Sequence, residues 1–234
     1  MSDRVVMLSG GTRGIGAAIA ERLLADGYRL SLGVRPGSAL PAPLRDVAPD
    51  ALFHHPFDAA DRASHADWVA ATEARFGRID GLVNNAAINP PNALTEVDED
   101  TLDAMWAVNV KAPLHLIQLA LPALRKSGRG RIVNIASLSG KRVKNANVGY
   151  AMTKFALVAL SHTVRQQEWD AGVRCTAVCP GFVRTDMTAG VTKVAAEDMT
   201  APEDVAAAVA FVMGLSNAAS VAEFAVNCRA EDVY

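Results

Sequence analysis

Val5-Val6-Met7-Leu8-Ser9-Gly10-Gly11-Thr12-Arg13-Gly14-Ile15-Gly16-Ala17-Ala18-Ile19 is the stretch that settles the fold class. A short apolar run reads as a strand. After the glycines, Ile15, Ile19, Leu23 and Leu24 recur at helical spacing until Asp26-Gly27 supplies a stop. A strand that passes through glycines directly into a helix opens a strand-helix-strand unit. Gly10, Gly14 and Gly16 suit three tasks: a tight turn, close approach of backbone to a pyrophosphate, and close packing of helix on strand. The helix N-terminus behind them carries unpaired N–H donors that attract anions. A Gly-rich string alone is also what a tight turn without a ligand looks like. Its spacing differs from the GxGxxG fingerprint and from the lysine-containing phosphate loop.

The alternation continues along the chain. Strands are expected over residues 29–34, 51–54, 82–83, 131–137, 173–179 and 223–227, with helices over 64–76, 101–125, 148–171 and 202–214 between them. Residues 36–49 read as a connection carrying a short helix. Seven strands separated by helices predict a Rossmann-like, doubly wound parallel α/β sheet with helices on both faces, one domain over residues 1–234. In such a sheet, ligands sit beyond the carboxyl ends of the strands where the winding reverses.

Composition narrows the classes. The 234 residues are 50% hydrophobic and 21% charged, with 23 Lys+Arg against 25 Asp+Glu, which argues against disorder and against a nucleic-acid partner. No apolar run reaches the roughly 18 residues of a membrane span, so no membrane partner is expected. Met1-Ser2-Asp3-Arg4 leads straight into the first strand without room for a signal peptide, which sets the expected location as cytoplasmic. Three cysteines are no disulfide framework; Cys175 and Cys179 lie roughly 13 Å apart along one strand, too far to share a metal, and are expected to be buried structural thiols.

The Gly-x-x-x-Gly-x-Gly turn resembles that of the short-chain dehydrogenase/reductase family, and other motifs follow in the family's order. Asn84-Asn85-Ala86-Ala87 is similar to its Asn-Asn-Ala-Gly motif, with Ala87 in place of the usual Gly. Asn109, Ser137 and Tyr150-Ala151-Met152-Thr153-Lys154 match its catalytic positions, and Pro180-Gly181 its segment after strand six. The resemblance covers about the whole chain. It implies hydride transfer between a nicotinamide cofactor and a carbonyl or secondary alcohol, with Tyr150 as general acid/base, Ser137 aiming the reacting oxygen, and Lys154 supplying a cation and holding the nicotinamide ribose. Asn109 is implied to hold a water that links Lys154 to solvent. Cofactor contacts are implied at Gly10, Thr12, Arg13, Gly14, Ile15, Gly16, Arg35, Asp58, Asn84, Ala86, Tyr150, Lys154, Pro180, Gly181, Val183 and Thr185. No metal is expected.

Chemistry supports the pair independently. Tyr150 and Lys154 are four residues apart on one helix face. A free phenol, pKa about 10, is a poor base at neutral pH, and a neighbouring cation that lowered it by about three units would contribute about 4 kcal/mol. At the end of strand two, Val34-Arg35-Pro36 carries no carboxylate to bind a ribose 2′-hydroxyl, while Arg35 and Arg13 suit a 2′-phosphate, so NADP(H) is expected over NAD(H). Asp58 is also placed to cap a helix. Lys141, Arg142 and Lys144 form either a rim that selects an anionic substrate or a solvated loop, and residues 187–200 are expected to form a lid. The tail ending at Tyr234 lacks the Asp-Gly-Gly that relatives often carry there. Leu114, Ile117 and Leu121, with Phe155, Leu157 and Val158, resemble the family's dimerisation helices, which implies a homodimer or homotetramer; the same stripes also suit packing on the sheet. Two other readings remain: an NAD-dependent alcohol dehydrogenase, and a nucleotide-sensing protein without catalysis.

Overall fold

The computed structural model describes residues 3–144 and 146–230. The N-terminal Met1-Ser2 and the tail from 231 to Tyr234 lie outside the described residues. In chain order the elements are β1 (Val5–Ser9), α1 (Gly14–Ala25), β2 (Arg29–Val34), α2 (Ala42–Arg45), β3 (Leu52–Pro56), α3 (Arg62–Phe76), β4 (Gly81–Asn84), α4 (Glu99–Trp106), α5 (Ala112–Lys126), β5 (Arg131–Ile135), α6 (Val148–Gln167), β6 (Arg174–Pro180), α7 (Pro202–Gly214) and β7 (Glu223–Val226).

The strands form one parallel seven-stranded sheet in the order β3-β2-β1-β4-β5-β6-β7. Winding reverses between β1 and β4, so the residues after these strands face the crevice where a ligand binds. Alternation along β1 builds both cores. Val6 and Leu8 pack with α1 and α7, while Met7 packs with α3, α5 and α6 on the opposite face. Buried Asp80 joins the strand starts by accepting from the Val5 N–H at 2.8 Å while Arg78 grips both its oxygens.

Several boundaries differ from the sequence reading. β5 ends at Ile135, because Ser137 leaves the ladder and its hydroxyl accepts from the Ser139 N–H, starting the tight 3-10 turn Leu138–Gly140. α6 ends at Gln167 rather than residue 171; the chain then turns back through Gly172 at φ +76, a conformation that suits glycine. The expected helix over 101–125 is α4 and α5 joined by a π-helical turn, Ala107–Lys111, with Asn109 inside it. This continuous run, Glu99–Lys126, is long and apolar enough by length and composition to cross a membrane, one 18-residue stretch of it having a mean hydropathy of 1.2. Its apolar face is spent on the sheet through Leu116, Ile117, Ala120 and Leu124.

Candidate active site

Four segments meet at the carboxyl ends of the central strands. The glycine turn follows β1, and Gly10 and Gly14 hold φ values of +72 and +53. A Cβ on Gly16 would collide with the Gly10 carbonyl oxygen, so glycine is required where helix meets turn. α1 begins with neither a side-chain cap nor an acidic residue in its first turn, which leaves its leading N–H groups for an anion. Ile15 directs its side chain into the core between α1 and α7, so its backbone N–H is what it presents to a ligand. Thr12 is half-buried beside it. These features fit the pyrophosphate of a dinucleotide.

The loop after β4 locks onto that turn. Asn85 donates through Nδ2 to the carbonyls of Ser9 and Gly10 at 3.1 and 3.0 Å, and the Ser9 hydroxyl accepts from the N–H groups of Asn85 and Ala86. Asn84 faces inward: it is buried, its Nδ2 donates to Asn134 Oδ1 at 2.8 Å, and its own Oδ1 lacks a protein partner. Within this motif, Asn85 shapes the cofactor turn while Asn84 braces the strands. Nothing local in the sequence separates the two adjacent asparagines.

Ser137 follows β5 and is half-buried, and its Oγ lies 3.5 Å from the Pro180 carbonyl at the end of β6. Tyr150 is the third residue of α6. Burial pushes its phenol up to about 12, and a hydrogen bond with Ser137 acts in the opposite direction. Lys154, one turn on, is 2% exposed and donates to the Ile135 carbonyl at 2.8 Å, with its Nζ 5.4 Å from the centroid of the Tyr150 ring. Burial lowers this ammonium to about 8. The sequence reading had Lys154 lowering the Tyr150 pKa; here desolvation dominates both groups, and Tyr150 is held as a protonated phenol. Gly140 makes the close fit possible, since a Cβ there would lie 2.5 Å from the Lys154 carbonyl oxygen.

The buried Asn109 side chain is fully engaged. Its Oδ1 accepts from the Ile88 N–H, and its Nδ2 donates to the Ile88 carbonyl and to Thr153 Oγ1 at 2.9 and 3.1 Å. The Asn109 amide is thus spent on Ile88 and Thr153 and not on Lys154. Thr153 and Asn92 also reach the Tyr150 backbone, and the sequence reading named neither as a site residue.

The remaining implied contacts surround the crevice. Arg35 is exposed just after β2, and Arg13 is exposed and pairs with Asp186 at 2.9 Å. Asp58 accepts from the Ala60 N–H, and the cap of α3 is Asp61, so Asp58 does not cap that helix. After β6, Gly181 donates to the Val226 carbonyl, Val183 bridges to Thr200, and the Thr185 side chain packs 3.1 Å from where a Gly14 Cβ would stand. Residues 187–200 hold a short turn, Ala196–Asp198, with Met199 and Val194 buried and Met187 exposed. Lys141 is committed to Glu223 at 2.6 Å, so its charge is already compensated. Cys175 and Cys179 are both buried, and burial raises their thiols to about 12 and about 11.

A profile of short chain dehydrogenases matches residues 4–197. The chain belongs to the short-chain dehydrogenase/reductase family. It is 43% identical over 231 residues to an agropine synthesis reductase of Rhizobium rhizogenes, matching 98% of this chain and 54% of that protein, so it spans about half the length of that relative. Among solved short-chain dehydrogenase/reductase structures, levodione reductase superposes with a TM-score of 0.87 at 30% identity, over 97% of this chain and 96% of the other. A short-chain dehydrogenase from Burkholderia cenocepacia in complex with NADP gives 0.86 at 30% identity, over 97% of each. The chain is thus an oxidoreductase by family, with the family's sheet and a crevice that fits a nicotinamide dinucleotide.

Proposed function

We propose that this chain is an NADP(H)-dependent reductase of small carbonyl compounds, with Tyr150 as general acid. The observation that carries the reading is the meeting of a protonated Tyr150 phenol, the Ser137 hydroxyl and the buried Lys154 ammonium beside the glycine turn. Bound NADPH supplies the hydride. Ser137 donates a hydrogen bond to the substrate oxygen and holds it against Tyr150, which gives its proton to that oxygen as the carbonyl becomes an alcohol. Lys154 then lies one turn away to stabilise the phenolate left behind. The N–H groups of Gly14, Ile15 and Gly16 hold the pyrophosphate, while Gly10, Thr12, Ala86 and Asn84 line or brace the crevice. Pro180, Gly181, Val183 and Thr185 hold the nicotinamide end; Lys154 also binds its ribose, and Asp58 meets the adenine. Arg35 and Arg13 bind the 2′-phosphate, and the absence of a carboxylate after β2 supports that preference. The likeness to a protein named a reductase supports the direction of reaction. The working form is a homodimer or homotetramer.

The test is loss of NADPH absorbance against a panel of small carbonyls, with NADH in parallel. Tyr150→Phe should lower turnover by about 10²- to 10⁴-fold and leave dinucleotide binding intact. Full turnover in that variant would sink the reading, since the reaction would then run without the Tyr150 proton.

A further inference from the structure

We propose that Asn92, in the loop after β4, is a positioning residue that sets the phenol of Tyr150 by capping α6 from outside the helix; this rests on the role assigned to Tyr150 above. Tyr150 sits in the first turn of α6, where backbone N–H groups have no partner inside the helix. Asn147, at the N-cap position, does not cap with its own side chain. Asn92 takes that task from 58 positions away in sequence: its Oδ1 accepts from the Tyr150 N–H at 3.2 Å, and its carbonyl accepts from the Val148 N–H at 3.1 Å.

The amide can serve in one orientation only. Asn92 is 2% exposed, and its Nδ2 donates to Asn89 Oδ1 at 3.0 Å and to the Pro90 carbonyl. Rotating the amide by half a turn would set its NH2 against the Tyr150 N–H and its oxygen against two acceptors. The other side of residue 150 is held as well. Its carbonyl accepts from Thr153 Oγ1 at 2.9 Å, and Thr153 in turn accepts from Asn109, which grips Ile88 four residues before Asn92. One loop therefore fixes both peptide groups of Tyr150, directly at the N–H and through Asn109 and Thr153 at the carbonyl. Lys154 lies a turn deeper, anchored by its own bond to Ile135, and the glycine turn is held by Asn85. Losing the Asn92 cap frays the start of α6 and shifts the phenol relative to Ser137 while leaving the dinucleotide groups in place. A displacement near 1 Å at a reacting group can cost about 100-fold in rate.

The experiment compares wild type with Asn92→Ala. In Asn92→Ala we expect kcat to fall about 10- to 100-fold, dinucleotide Kd by fluorescence titration to stay within about twofold, and the pH profile of kcat to shift by half a unit or more. Amide exchange at Tyr150, measured without substrate, should speed up at least about tenfold in Asn92→Ala. Unchanged kcat and exchange in Asn92→Ala, or a fall in kcat matched by an equal loss of dinucleotide affinity, would each overturn the proposal. A wild type inactive with both nicotinamide pairs defeats the proposed function instead, and the exchange measurement still decides whether Asn92 caps α6.

Discussion

Lys154 is a buried ammonium whose hydrogen-bonded neighbour is a neutral carbonyl, and that makes it costly to the fold. In the unfolded chain it keeps its proton up to its ordinary 10.5, but in the fold only up to about 8. Between those values the unfolded state binds more protons, so stability rises with pH from about 8 to 10.5, and below 8 the full cost, about 3 kcal/mol, is present. Tyr150 acts oppositely at higher pH: the fold retains a phenol proton that the unfolded chain sheds above 10, so stability falls again there. Lys154→Met should therefore raise stability at pH 7 by about 1–3 kcal/mol and flatten the rise above pH 8, as followed by denaturant melts. The same variant should lose turnover, a trade expected where an active group is kept in an unfavourable setting. Arg35 poses a separate residue-scale question. Arg35→Ala should weaken NADPH binding by roughly 10- to 100-fold, the loss of one charge-assisted contact, and leave NADH nearly untouched; equal losses in fluorescence titrations of the two cofactors would defeat the assignment.

At the scale of elements, α3 and α5 are joined by a chain of ring nitrogens. Arg62 Nε donates to His115 Nε2 at 3.2 Å, His115 and His65 meet through their Nδ1 atoms at 3.0 Å, and His65 Nε2 reaches the Ala59 carbonyl at 3.3 Å. Only one arrangement of protons serves every link, with both rings neutral: His115 Nδ1 donates to His65 Nδ1, and His65 Nε2 donates to Ala59. Burial holds both rings below their usual 6.5, with the neighbouring cation Arg62 acting further on His115. Asp61 and Asp58 oppose this at His65 but do not reverse it. Below 6.5 the unfolded chain takes up protons that the fold refuses, so stability is lost as pH falls through that value. Thermal melts of His115→Phe should show a weaker dependence between pH 5 and 6.5 than wild type; an unchanged slope would mean that this junction does not carry the acid sensitivity. The junction adjoins the loop bearing Asp58, so acid should loosen the loop proposed to meet the adenine before it loosens the surroundings of Tyr150.

For the whole molecule, the helix stripes read from the sequence are buried on one side and exposed on the other. Ile117, Leu157 and Val158 are buried on the sheet, whereas Leu114, Met152 and Phe155 are 40%, 45% and 42% exposed on the outer faces of α5 and α6. If that outer face joins two chains, replacing Met152 and Phe155 together by Asp should shift the mass seen by light scattering to that of one chain; an unaltered oligomer would place the contact elsewhere. The sequence by itself determined the alternation of strands and helices, the glycine turn and the spacing of Tyr150 and Lys154. Each of those is written in local periodicity, and a helix or strand carries its period wherever it is packed. Only the tertiary structure decided which asparagine of Asn84-Asn85 holds the cofactor turn, that Lys141 answers Glu223, that Asn109 spends its amide on Ile88, and that Asn92 caps a helix 58 residues away. Those bonds join segments that meet only when the sheet is assembled, and a buried amide chooses its partners from whatever polar groups packing brings within reach.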